Sequence, residues 1–155
     1  MRLFYFLTSI ALSYINTSQA QWQYKTDDKQ NEIISVNDKN NNSSFLIERK
    51  KNGEINFYIK GVSESECKME SIEFRFDGIK DVLLFKVEKS EEKKLKILYD
   101  DINGLGYLKS FSKLVKERNF IYSQFNNVCG INIKKRYSLK GSSNAINKIN
   151  LIPFL

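Results

Sequence analysis

Histidine is missing altogether from these 155 residues, proline and tryptophan occur once each, and cysteine occurs twice. Without histidine there is no Ser–His or Cys–His pair to activate a nucleophile, and the commonest transition-metal ligand is gone. Two cysteines alone do not close a four-ligand zinc site unless carboxylates complete it. No GxGxxG, P-loop or GxSxG pattern occurs. Acidic pairs stand at Asp27-Asp28, Glu91-Glu92 and Asp100-Asp101. Neighbours in a strand point to opposite faces, and in a loop they are solvated, so none of these pairs offers the spaced carboxylates of a glycosidase. Glu64, Glu66 and Glu70 around Cys67 read as a polar loop. The sequence assigns no catalytic, cofactor-binding or metal-binding residue and implies no cofactor.

Long apolar runs are missing too, except at the N-terminus. There Arg2 supplies a positive charge and Leu3 to Ile15 is apolar and aromatic, interrupted only by Thr8, Ser9 and Ser13. Ser18 and Ala20 then place small residues at the two positions a signal peptidase reads. The run falls short of the ~20 residues that cross a bilayer comfortably. No cysteine follows it to carry a lipid. These features predict a signal peptide over 1–20, cleaved after Ala20. They predict one soluble domain over 21–155, periplasmic or secreted, with no transmembrane segment after cleavage. A chain of that length can build a real core.

The formal net charge is +7, and loss of Arg2 with the leader brings it to +6. Basic and acidic residues are interleaved, which reads either as a solvated surface or as attraction to an anionic envelope surface. Nucleic acid is not expected as a partner. The predicted export would keep the chain from it, and its basic runs, Arg49-Lys50-Lys51 and Lys134-Lys135-Arg136, are short and match no nucleic-acid module. Two cysteines in an exported chain predict a Cys67–Cys129 disulfide, two separate buried thiols being the alternative.

The rest of the chain is mostly strand-like. Asp27-Asp28 reads as a turn and Glu32 to Val36 as a strand. Asn37 to Ser44 is a polar, Asn-rich stretch with too little apolar content to order itself. Ser44 to Lys50 and the alternating Ile55 to Lys60 flank Asn52-Gly53, which predicts a hairpin with a type I′ turn. Ser71 to Asp77 alternates with Ile72, Phe74 and Phe76 inward and Glu73, Arg75 and Asp77 outward; those three polar residues are the candidate binding surface. Val82 to Glu88 is apolar enough at its start to be partly buried on both faces. A short strand carries Leu95, Ile97 and Tyr99. Gly104-Leu105-Gly106 reads as a loop before an amphipathic helix over Tyr107 to Arg118. Phe120 to Phe125 and Ile131 to Leu139 are strands, and in the second Lys135 interrupts an apolar face. After Gly141, Ser142 or Ser143 caps a short helix running to Asn150. The sum is an α+β domain. Its sheet is mainly antiparallel, sandwich- or barrel-like, of about seven or eight strands. It carries one amphipathic helix and a short C-terminal helix.

Several of these segments in order resemble a family. Trp22 with Asp27-Asp28, the Phe45-Leu46-Ile47-Glu48-Arg49 strand, Ile72-Glu73-Phe74-Arg75-Phe76-Asp77, the helix at Phe111-Ser112-Lys113-Leu114 and Tyr137-Ser138-Leu139-Lys140-Gly141 before a short helix are similar to small exported bacterial proteins of the TagO/VasI type, associated with type VI secretion. The resemblance implies a periplasmic accessory protein and brings no catalytic residue. The chain lacks the longer C-terminal region of the secretion proteins. Three function classes follow. The first is an envelope accessory protein that binds a protein partner or an anionic surface, and is no enzyme. The second is a secreted binding or inhibitory module of the immunity or phage-exclusion type. The third is a carboxylate-dependent hydrolase.

Overall fold

The structure is a computed structural model that describes residues 21–40, 42–62, 68–90, 94–99, 104–130 and 132–149, the side chains of 104–108 excepted. The leader, Cys67, Glu64, Glu66, the acidic pairs at 91–92 and 100–101, Ile131 and Pro153 lie outside the described residues.

Alternation of apolar and polar side chains makes most of the chain extended. The strands are β1 (Gln23–Thr26), β2 (Glu32–Asn37), β3 (Ser44–Arg49), β4 (Ile55–Lys60), β5 (Met69–Phe76), β6 (Leu83–Ser90), β7 (Lys94–Leu98), β8 (Phe120–Asn127) and β9 (Ile133–Ser138). The helices are α1 (Gly104–Glu117), between β7 and β8, and α2 (Ser142–Lys148). The expected α+β class with an antiparallel sheet holds. Among the described residues the strands form one nine-stranded sheet in the order β1-β2-β3-β4-β7-β6-β5-β8-β9, and every pairing is antiparallel. The strand the sequence did not announce is β1, which is short and exposed throughout.

The sheet is open at its edges but strongly curled. Flat, seven steps of about 4.8 Å would hold β2 and β9 roughly 34 Å apart. Instead Asp38, just past β2, bridges Tyr137 of β9. The hollow so formed is filled by rings. Phe111 of α1 meets Phe57 at 5.0 Å, Phe74 at 5.3 Å and Phe76 at 5.6 Å between ring centroids, the separations at which aromatic pairs attract beyond mere burial. Trp22 packs edge-on to Phe45 at 6.2 Å, so it pins the start of the domain to the core. Val115 of α1 and Ala145 and Ile146 of α2 complete the cover.

Four local expectations are corrected. The 50–54 turn is not type I′. Gly53 N–H donates to Lys50 O at 2.8 Å and Lys50 N–H to Glu54 O at 2.8 Å. Gly53 alone of the pair has positive φ, at 90°. This is a type I turn closed by a left-handed glycine bulge, the usual three-residue hairpin loop. Gly104 and Gly106 belong to α1 and form no preceding loop. Neither serine caps α2: the cap is Gly141 at φ 85°. Ser142 Oγ donates instead to Val115 O at 2.6 Å and Ser143 Oγ to Lys116 O at 3.0 Å, satisfying carbonyls that the end of α1 leaves without helical partners. Finally, Asp38 organises the Asn-rich stretch: its Oδ1 accepts from Asn42 N–H at 2.8 Å and Ser43 N–H at 3.2 Å. Gly61 packs against that turn so closely that a Cβ there would meet Asn42 O.

Candidate functional site

The face of the sheet opposite the helices divides in two. Under β2, β3 and β4, Ile33, Leu46 and Tyr58 are buried together. Tyr58 O–H donates to Glu48 Oε2 at 2.9 Å; burial first, then that bond, raises the phenol above its ordinary value. Across β6, β5, β8 and β9 the same side of the sheet lies open.

Strand register places the side chains of this open half. Inward Phe85, Phe74, Ile121, Phe125 and Tyr137 are buried, so their neighbours in sequence point out. One outward row runs Leu84, Glu73, Gln124, Lys134. A second runs Arg75, Tyr122, Arg136, and a third carries Lys86 and Ser71. Leu84 is 64% exposed, Tyr122 40% and Val82, just before β6, 39%. That overturns the expected two-sided burial at 82–85: only Phe85 is buried, because no described element covers the outward side of β6. The Arg136 guanidinium lies 3.7 Å from the centroid of the Phe120 ring and 5.6 Å from that of Tyr122. This cation–π contact restrains the side chain, which stays exposed.

The structure separates the three polar residues that the sequence grouped. Glu73 and Arg75 both lie on the open face, with Arg75 Nη2 3.4 Å from Glu73 Oε2. Asp77 is engaged elsewhere. Its Oδ1 accepts from Asn119 N–H at 3.0 Å and Phe120 N–H at 2.9 Å, and its Oδ2 from the Asn119 amide at 3.3 Å. It fastens the end of β5 to the start of β8. Burial pushes its carboxyl up, but the donors from Phe120 and Asn119 outweigh burial and hold it below its ordinary value. Leu84, Tyr122, Lys134 and Arg136 were not singled out from sequence. A period of two applied to Lys134-Lys135-Arg136 would have found the last two, since it sends Lys134 and Arg136 out and Lys135 in. Cys129 lies in the turn after β8, and Cys67 lies outside the described residues, so their pairing remains an expectation.

No family model matches the chain, and no curated protein matches it in sequence. Its fold is similar to that of a solved structure, invasion associated protein B from Bartonella henselae. The TM-score is 0.57 at 11% identity, over 86% of this chain and 94% of that one. At that identity the likeness is one of fold. Among the described residues no cluster of three or more acidic or cysteine side chains is placed to hold a metal ion, and no helix is long and apolar enough to cross a membrane.

Proposed function

We propose that this protein is an exported accessory protein of the bacterial cell envelope that acts by binding, through the outward face of β6, β5, β8 and β9. One observation carries the reading. Of the five large hydrophobic side chains exposed among the described residues, Leu84 and Tyr122 fall on this one face and Val82 immediately precedes β6, alongside Arg75 and Arg136. Scattered apolar residues on a surface mean little; a group of them with aromatic and arginine neighbours is what binding surfaces are made of. Arg2, the apolar run after it and the Ser18–Ala20 site support export. The TagO/VasI resemblance points to the same compartment.

The test has two parts. N-terminal sequencing of the protein recovered from the envelope fraction should start at Gln21, and an intact Met1 in the cytosol would end the export reading. A photo-crosslinking amino acid at Leu84 or Tyr122 should join the protein to an envelope component in growing cells, while one at Lys113 on α1 should not. Equal labelling from both sides would remove this face as the site.

A further inference from the structure

We infer that the open face of β6, β5, β8 and β9 lies against an anionic bilayer surface and reads its phosphate headgroups. The inference rests on the binding reading above and names the chemistry of its partner.

Charge is the first argument. Arg75 is held by Glu73, and outward Glu88 of β6 stands opposite Lys96 of β7. Lys86, Lys134 and Arg136 are exposed and take no acidic partner among the described residues. They therefore give the face a net positive charge. Three strand steps from β6 to β9 spread these cations over about 14 Å. They sit on a sheet surface and do not converge on one point. An extended layer of anions meets that arrangement better than a single small ion does.

The apolar groups decide between anionic layers. A charged soluble polymer gives an exposed leucine nothing to bury in. At a bilayer, Leu84 enters the boundary between headgroups and acyl chains while lysines stay at the phosphate level. Tyr122 has the ring-plus-hydroxyl character suited to that depth. Arg136, already held over Phe120 at 3.7 Å, offers a planar fork that matches phosphate oxygens.

The test uses the full chain as its host processes and exports it. Probes are vesicles of phosphatidylcholine alone and of phosphatidylcholine mixed with phosphatidylglycerol, read by co-sedimentation. The protein should sediment with the mixed vesicles, not with the neutral ones, and high salt should weaken this. Lys86→Ala and Lys134→Ala should each lower partitioning about fivefold. Leu84→Ser should lower it further at high salt, where only apolar contact remains. Lys109→Ala with Lys113→Ala, on the opposite side of the molecule, should change nothing. Circular dichroism of each variant checks folding. Equal binding to both vesicles, or equal loss from the α1 variants, overturns the inference. So does absence of vesicle binding. In that last case a discrete protein cross-linked through Leu84 leaves the binding reading standing with a protein partner, whereas no cross-link removes both.

Discussion

Lys135 Nζ lies 3.4 Å from Asp38 Oδ2, with 19% and 5% of the two side chains exposed. The only cation on the apolar face of β9 is thus paired inside the curl of the sheet. Beside it, the Ser43 and Tyr137 hydroxyls are 3.0 Å apart. These contacts tie the turn after β2 to the last strand and hold the curl shut. Asp38→Ala should cost about 2–4 kcal/mol, because it removes the acceptor of two backbone N–H groups and leaves a lysine half-buried. Lys135→Met should cost less, about 1–2 kcal/mol, since Asp38 keeps its N–H donors. Denaturant midpoints of both variants check the order; a Lys135 variant weaker than the Asp38 variant would show that the ion pair, not the turn, closes the sheet.

The β1–β2 and β3–β4 hairpins share one turn geometry. In the first, Gln30 N–H donates to Asp27 O at 3.0 Å and Asp27 N–H to Asn31 O at 3.0 Å. Gln30, at φ 64°, stands where Gly53 stands at φ 90°. A left-handed backbone strains glutamine and suits glycine. Gln30→Gly should raise stability by about 0.5–1 kcal/mol, and Gly53→Val should lower it by about 1–3 kcal/mol. Melting temperatures moving in opposite directions check both.

The legible parts of this fold were those governed by local pattern. Period-two alternation located β4, β5 and β8 and sent Ile72, Phe74 and Phe76 inward, and the helical spacing of Phe111, Leu114 and Val115 found α1. What failed depends on distant partners. Asp77 has the parity of Glu73 and Arg75, but no periodicity reveals that Asn119 and Phe120 will meet its carboxylate. Leu84 looked buried because an apolar run does not say whether anything covers its second face. Ser142 looked like a cap because nothing local announces that the end of α1 lies beside it. The open face proposed for binding is therefore half visible in the sequence: Glu73 and Arg75 follow from alternation, while Leu84, Tyr122 and Arg136 need the strand order β6-β5-β8-β9.

Acid should loosen this fold through Asp77. Its folded value is depressed, so the ionised carboxylate favours the native state. That contribution is fully present above the unfolded value and is lost as pH falls through the folded one, below about pH 4. Asp27, held low chiefly by the Asn31 N–H, and Glu54, held low chiefly by Lys50, act in the same sense. Asp77→Asn should cost about 1–2 kcal/mol at neutral pH and make the acid limb of the stability curve shallower. Alanine at both Glu73 and Arg75 should change stability by about 0–1 kcal/mol, as exposed pairs do. An acid limb of unchanged slope in the Asp77 variant would assign acid sensitivity to other groups.

The two helices are joined by hydroxyls as well as by packing. Ser142 is almost fully buried and its bond to Val115 O is short. Ser142→Ala leaves that carbonyl without its donor and should cost about 1–2 kcal/mol; Ser143→Ala, nearer solvent, should cost less than about 1 kcal/mol. Hydrogen exchange at the end of α1 should quicken in the first variant more than in the second.

The remaining prediction concerns the two cysteines. Met69 of β5 pairs with Asn127 of β8, and Val128 N–H donates to Lys68 O at 3.2 Å. Cys129 follows in the turn just past this contact, and Cys67 is the residue before Lys68 in sequence, which motivates a Cys67–Cys129 disulfide. The bond would close a loop of about 62 residues and stabilise the domain by roughly 4 kcal/mol, less any strain. The proposed export would supply the oxidising compartment it needs. Intact mass after alkylation without reduction should show no added label, and two labels after reduction. Cys67→Ser with Cys129→Ser should then melt well below the parent, and reductant should lower the parent to about the same point. Two alkylated thiols in the unreduced exported protein would refute the pairing, and would leave the β5–β8 junction held by the Lys68–Val128 backbone bond and the strand ladder alone.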